Sequence, residues 1–396
     1  MRDEAAPSLR RRLVLLALNG VAFQLLYGAC SAAAARAGVV RDVATAWDAH
    51  VPFLPWMLLP YMSSAPLLAS AFLLVPDAQG LRALSQRLLL ATALGTLVFA
   101  LFPLRFAWPR PAVDAGLPAA LAALLGRVDA PYNQLPSLHV AYCVIVWPAL
   151  SARLRSTPAR AALAAGLALV AASTLFTWQH HLADLPAGAL LGALAWRAVP
   201  ARRDEPAVAL HYAVLALAAA TLGLTALPLV PALWLAACCA AVALAYARGD
   251  AGFLHKRGGR FPAWVRLLYG PYLLGYLATW HLVRWRERNR PALEPFCEGV
   301  WVGRRLAAHE VGALPADAAV IDLASELSEA PALRARPGAA FALFDLLQAP
   351  TARLARILDA IDAQRALGRP VYVHCAMGYR RSREVVRAWR ARHEQP

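Results

Sequence analysis

Apolar residues dominate the first 285 positions, and charged residues become frequent after them. Apolar runs of 17 or more residues recur in the first part, the length a helix needs to cross a bilayer. They predict spans near 13–35, 54–75, 88–104, 138–152, 161–178, 183–199, 208–227 and 229–247, with Pro228 turning the last two into a tight hairpin. Segment 261–283 reads two ways. It is either a ninth span or, given Arg266, Gly270, Pro271 and the arginines at both ends, an interfacial or re-entrant segment. Beyond it the pattern changes. Val300-Trp301-Val302-Gly303 and Pro370-Val371-Tyr372-Val373 read as short strands, and Ser382 to Arg392 as a helix with Val385, Val386 and Trp389 on one face. The chain thus predicts an all-α polytopic membrane core over 1–205, a further hairpin and interfacial segment over 206–290, and a small α/β domain over 291–396.

Charge sets an orientation. The net charge of +16 is almost all arginine, and Lys256 is the single lysine. Arg10, Arg11 and Arg12 precede the first span; Arg82 and Arg87 lie between spans two and three; Arg153, Arg155 and Arg160 between four and five. Arg197, Arg202 and Arg203 follow span six, and Arg248, Lys256, Arg257 and Arg260 follow span eight. All fall on one side, which the positive-inside rule makes cytoplasmic. Eight spans then leave the N-terminus and the C-terminal domain in the cytoplasm. The first apolar run has no clean cleavage site and reads as an uncleaved first helix. The arginine and alanine bias suggests a bacterial inner-membrane protein. The basic residues sit beside spans and form no stripe interleaved with aromatics, so nucleic acid is not expected as a partner. The six cysteines show no disulfide or zinc spacing, and no metal or cofactor is implied.

Chemistry enters first at Val373-His374-Cys375-Ala376-Met377-Gly378-Tyr379-Arg380-Arg381-Ser382. A cysteine, five residues and an arginine can wrap one phosphate in backbone amides, while Arg381 grips two of its oxygens. Cys375 is placed as a thiolate nucleophile, and Ser382 can steady it as it leaves. His374, Gly378 and Arg380 complete the phosphate-site set. An extra cation at Arg380 favours a polyanionic headgroup, unless it is a solvated surface arginine. From about residue 296 onward the chain resembles a dual-specificity (tyrosine-phosphatase-like) domain. The resemblance implies a general-acid aspartate roughly thirty residues upstream of the cysteine, and Asp345, in Phe344-Asp345-Leu346-Leu347-Gln348-Ala349-Pro350, stands at that distance. The sequence ends 14 residues after Ser382, so an abbreviated form of that domain is expected.

A second constellation lies in the membrane half, at the outer ends of the expected spans: Phe102 to Pro111, then Pro136-Ser137-Leu138-His139-Val140, then Ser173 to Asp184. His180 and Asp184 are four apart and expected on one helix face, where the carboxylate can orient the imidazole as a nucleophile. His139 can protonate the leaving oxygen. Ser137 and the amide near Leu138 can hold phosphate, and Arg110, with Arg105, can neutralise it. Tyr132 and Asn133 either line this site or belong to plain loop, and His181 is expected to pack beside it.

The order and spacing resemble the type 2 phosphatidic acid phosphatase superfamily. The resemblance implies a phosphohistidine at His180, attacked by water or an acceptor alcohol. Two basic positions of that pattern fall on Pro103 and Thr174. The Pro-Ser-Leu-His wording and the His180-His181 pair resemble the branch containing inositol-phosphorylceramide synthases. The expected fold is therefore a six-helix phosphatase core with an added helical hairpin, followed by a cysteine-phosphatase domain. The expected substrate is a lipid phosphate or phosphorylated headgroup at a membrane. Three functions remain open: two phosphatase sites, a headgroup transferase with a product-trimming phosphatase tail, and a catalytically decayed scaffold or transporter.

Overall fold

Ser8 opens the first helix by accepting the amide of Arg11, and the computed structural model carries that helix, α1, over Leu9–Arg36. The structure describes residues 6–200 and 207–394; Arg202 and Arg203 lie outside the described residues. There follow α2 (Leu58–Met62), α3 (Ser64–Leu74), α4 (Ala78–Leu101), α5 (Gly116–Val128), α6 (Leu138–Ser151), α7 (Thr157–Phe176), α8 (Asp184–Ala198), α9 (Val208–Thr225) and α10 (Leu229–Arg248). Among the described residues, six helical stretches are long and apolar enough to cross a membrane: 9–36, 55–74, 78–101, 157–176, 208–225 and 229–248. They mark an integral membrane protein. The expected spans 138–152 and 183–199 are helical, but α6 and α8 have 14 and 15 residues and are short of a full crossing. The helix α5 answers to no expected span.

The third span starts earlier than its apolar run suggests. Asp77 caps α4 by accepting the Gly80 amide at 2.6 Å, which draws the polar stretch 78–87 into the helix. Arg87 is therefore not a loop residue, as the charge pattern implied. It is buried in α4, with Nε donating to the Val199 carbonyl and its guanidinium 3.3 Å from the Trp196 ring centre.

The chain divides into two compact units, one of residues 1–204 with 214–236, the other of 205–213 with 237–396. In the first, arginines gather at one end. Arg12 donates to the carbonyls of Phe72, Leu73 and Val75, and Arg153 pairs with Asp77 at 2.6 Å. The other end is set by α6 crossing α8 closely. A Cβ on Gly188 would collide with the Ser137 carbonyl, and one on Gly192 would lie 2.6 Å from the Ala141 carbonyl. This Gly-x-x-x-Gly pair lets the two backbones touch where side chains would hold them apart. On the far side of α6, Leu138 packs into the space left by Gly95 of α4.

The second unit holds α11 (Ala263–Leu268), α12 (Gly270–Arg286), α13 (Pro331–Arg334), α14 (Thr351–Ala366) and α15 (Arg381–Glu394). Its five strands are β1 (Leu293–Cys297), β2 (Val300–Arg304), β3 (Ala319–Ala324), β4 (Gly338–Leu343) and β5 (Val371–Cys375). The sheet order is β1-β2-β5-β3-β4, with β1–β2 antiparallel and the other pairs parallel. The central strand β5 is buried along its whole length, as a parallel strand covered on both faces must be. Val300, Val302, Ile321, Val371 and Val373 pack against Ile357 and Ile361 of α14 and Val385 and Val386 of α15.

Segment 261–283 forms two helices, Ala263–Leu268 and Gly270–Arg286, neither of which is among the helical stretches long and apolar enough to cross a membrane. Tyr272, Tyr276 and Trp280, on one stripe of α12, pack within this unit, with Trp280 Nε1 donating to the Arg305 carbonyl at 2.9 Å. Tyr272 also packs with Tyr212 of α9 and with Cys238, Val242 and Tyr246 of α10.

Buried charges tie the unit together. The Lys256 ammonium lies 2.6 Å from Asp322 and donates to the Ala324 carbonyl. His374 Nε2 is 2.7 Å from Glu329 and 3.8 Å from Asp322. Burial alone disfavours the His374 imidazolium, but the Glu329 and Asp322 carboxylates outweigh it and raise its pKa. Burial likewise works against the Glu329 carboxylate, and the His374 charge outweighs it and lowers that pKa.

Two outcomes are expected. Gly192→Leu should lower the detergent melting temperature by the equivalent of about 1–3 kcal/mol of overpacking, while Gly166→Ala, where a Cβ meets nothing within 4 Å, should be neutral or stabilising. Equal effects from the two would refute the close crossing. For the ion pair, the Glu329 contribution is present above the ordinary Glu value and lost as pH falls. The His374 contribution is complete below the ordinary His value and lost as pH rises through its raised pKa. The melting-temperature difference between wild type and Glu329→Gln should therefore be largest between about pH 4.3 and 6.5; a difference independent of pH would count against the pair.

Candidate functional site

Ser137 caps α6 by accepting the Val140 amide at 3.4 Å, while its own amide donates to the Asp184 carbonyl at 3.1 Å. That second bond joins the first residues of α6 and α8. It places His139, in the first turn of α6, with its ring centre 6.1 Å from that of His180. His180 does not share a helix face with Asp184, as the spacing suggested. It lies in the bend after α7, and Asp184 is the first residue of α8. The contact forms because the Asp184 carboxylate reaches back. Its Oδ2 accepts the His181 amide at 2.9 Å and lies 3.0 Å from His180 Nδ1. A carboxylate suits this helix start. With Nδ1 held on Asp184, the Nε2 edge of His180 is the one available for chemistry.

His139 and His180 line a cavity of about 420 Å³ with Asp129, Asn133, Tyr27 and Tyr61. The remaining lining is mostly apolar and comes from α1 to α7, which suits an acyl chain. Leu138 also lines it, whereas Ser137 is buried beneath as the cap. Arg110 is held by Gln179 Oε1 at 2.6 Å, next to His180 in sequence, and by the Asp129 carbonyl at 3.4 Å. Arg105 is bound through its backbone to Arg41 and Tyr132, and it does not line the cavity. His181 packs flat on Phe106 with ring centres 4.5 Å apart and accepts the Ala107 amide at Nε2.

In the α/β unit, β5 delivers Cys375 and α15 begins at Arg381, so the intervening loop faces a helix N-terminus. The loop turns at Gly378, whose φ of 75° favours glycine and whose amide donates to Cys375 Sγ at 3.2 Å. Ser382 Oγ lies 3.4 Å from the same sulfur. Arg381 is buried, with Nη1 bound to both carboxylate oxygens of Glu326 at 3.0 Å and to the Leu343 carbonyl at 2.9 Å. Its Nε faces Asp345 Oδ1 at 3.7 Å. Asp345, just past β4, also accepts from the Tyr276 hydroxyl at 3.1 Å. Cys375, Arg381, Ser382, Gly378 and Asp345 are thus brought to one place.

His374 and Arg380 are placed differently. His374 is fully buried, with its ring against Glu329, and supports the strand behind the loop. Arg380 is bound to Glu384 at 2.7 Å and to the Leu346 carbonyl at 2.9 Å, both outside the loop. Among the described residues, Asp322, Glu329 and His374 bring metal-ligand atoms within 4.8 Å of one another. The Lys256 ammonium already serves as the cation of that cluster.

Several site residues escape the sequence reading. Asp129 holds Tyr27 and Tyr61 through its two oxygens at 2.9 and 3.3 Å, and Tyr61 packs on His139 with ring centres 4.6 Å apart. Glu326 and Tyr276 reach Arg381 and Asp345 from distant segments. No motif announces these residues. The Gly188-x-x-x-Gly192 spacing, by contrast, was readable as a close helix contact.

No curated protein and no solved structure matches the chain. The family model of the PAP2 superfamily matches residues 86–205, well under half of the chain and the stretch that holds Arg110, His139, His180 and Asp184. That segment is therefore similar to the PAP2 superfamily and supports a membrane phosphatase-like core.

Proposed function

We propose that this protein is an integral membrane phosphatase with two phosphate sites. The observation that carries the reading is the Asp184–His180–His139 arrangement at an apolar cavity inside the segment similar to the PAP2 superfamily. His180 Nε2 attacks the phosphorus of a lipid phosphate, and the P–O bond to the lipid breaks. His139 gives a proton to the departing oxygen. Water then attacks the phosphohistidine, releasing phosphate and restoring the imidazole. Arg110 and the α8 N-terminus offset charge on the phosphoryl oxygens.

The second site is the loop Cys375 to Arg381, which acts as a cysteine-dependent phosphomonoesterase of the dual-specificity kind. Its support is the convergence of Cys375, the Gly378 amide, Ser382, Arg381 and Asp345. The Cys375 thiolate bonds to phosphorus as the ester P–O bond breaks, and Asp345 protonates the leaving alkoxide. Water, deprotonated by Asp345, then cleaves the cysteinyl phosphate. The arginine distribution favours a cytoplasmic position for this loop, where the thiol stays reduced.

A second reading of the histidine site has its own support. Two basic positions of the family pattern are Pro103 and Thr174, while Asp129 and two tyrosines line the cavity. A carboxylate there can take the proton of an acceptor alcohol, so the site transfers a headgroup as in the inositol-phosphorylceramide synthase branch. Adding lipid phosphate separates the two: free phosphate means hydrolysis, and a new lipid formed only with an alcohol means transfer.

On a lipid-phosphate panel, His180→Ala should remove one activity by about a thousandfold or more, and Cys375→Ser should remove a different one. Asp345→Asn should slow the cysteine activity by about 10²–10⁴. Activity unaffected by either of the first two would leave a non-catalytic scaffold. A reporter active only in the cytoplasm, fused after the C-terminus, should be active; a periplasm-only reporter working there would reverse the orientation.

A further inference from the structure

The helix α12 has two unlike faces. One packs Tyr272 with α9 and α10 and holds Tyr276 and Trp280 beside the cysteine loop. The other leaves Leu274, Leu277, Leu282 and Trp285 between 40% and 66% exposed, a stripe of large apolar side chains in water unless something covers it. Exposed Arg266, Arg286 and Arg288 stand along the same segment. Apolar residues with arginines beside them suit the headgroup zone of a bilayer with anionic lipids.

The packed face touches the cysteine site at three points. Tyr276 donates to Asp345 at 3.1 Å. Trp280 packs with Ala376 and Met377 of the loop and holds the Arg305 carbonyl, while the Arg305 amide donates to the Cys375 carbonyl at 2.8 Å. Glu287, just past α12, accepts from Tyr379 of the loop at 2.9 Å. The segment carrying Asp345 also rests on the end of a helix long enough to cross a membrane. Phe344 lies on Tyr246 of α10 with ring centres 4.1 Å apart, and Tyr246 donates to the Asp345 carbonyl at 3.4 Å. Because α10 is long and apolar enough to cross a membrane and its end meets the loop's rim, a bilayer is the occupant that best fits this stripe.

We propose that the cysteine site takes the phosphomonoester headgroup of a membrane lipid, presented by the bilayer on which the exposed stripe of α12 rests. This rests on the reading of Cys375 as nucleophile. Its thiolate bonds to phosphorus while the bond to the lipid oxygen breaks, Asp345 protonates that oxygen, and water later releases phosphate and the thiolate. A headgroup at the surface meets the loop without the lipid leaving the membrane, whereas a soluble phosphoester gains nothing from α12.

The test uses the full-length protein carrying His180→Ala, to silence the histidine site, in mixed micelles of detergent and phosphatidylcholine. Phosphatidic acid is compared with p-nitrophenyl phosphate and a phosphotyrosine peptide. The expected kcat/KM is at least about tenfold higher for phosphatidic acid than for either soluble ester. A triple variant, Leu274→Ser with Leu277→Ser and Leu282→Ser, should lose about tenfold on phosphatidic acid and keep its rate on p-nitrophenyl phosphate. Preference for the peptide, or equal changes on lipid and soluble ester in the triple variant, overturns the proposal. If Cys375→Ser leaves every one of these activities intact, the nucleophile reading itself fails, a result distinct from the other two.

Discussion

Asp184 is wholly buried at the first residue of α8, where a carboxylate persists only if donors surround it. The His181 amide and His180 supply them to Oδ2, while Oδ1 has no hydrogen-bond partner among the described residues. The chain between α7 and α8 must then bend so that both reach one oxygen, and that bend turns His180 toward His139. The close crossing of α6 and α8 serves the same end. With bulky residues at 188 and 192, the two helix starts would separate and the bond from the Ser137 amide to the Asp184 carbonyl would break.

The α/β unit handles desolvated charge in the same way. Arg381 is buried and would be costly there without Glu326, which takes Nη1 and leaves Nε toward Asp345. The anchor fixes the guanidinium, and under the proposed phosphate site that leaves less ordering for substrate binding. Behind the loop, Lys256 and His374 meet Asp322 and Glu329. The chain's single lysine comes from the segment after α10, so this cluster binds that segment to the strand bearing Cys375.

The structure brings together much of each candidate constellation that the sequence singled out, because those residues are local to one another. His180 and Asp184, or Cys375, Arg381 and Ser382, lie within one turn or loop, and their spacing alone limits what they can do. The apolar runs also marked α1, α7, α9 and α10 closely. The reading failed where a long-range contact overrides the local pattern. Asp77 pulled the start of α4 forward and carried Arg87 into the interior. For 261–283 the hydropathy leaves two readings, and the structure adds that Tyr272, Tyr276 and Trp280 share one packed stripe while Leu274, Leu277 and Leu282 are exposed.

The sequence by itself determined which residues form the two candidate constellations, the long apolar helices and the strand–loop–helix around Cys375, since those follow from spacing and periodicity. Tertiary structure decided what surrounds these candidate groups. Asp129 with Tyr27 and Tyr61, Glu326 behind Arg381, and Tyr276 on Asp345 join residues far apart in the chain. No local pattern encodes such pairs, because each forms only when burial removes water and leaves a polar group no other partner.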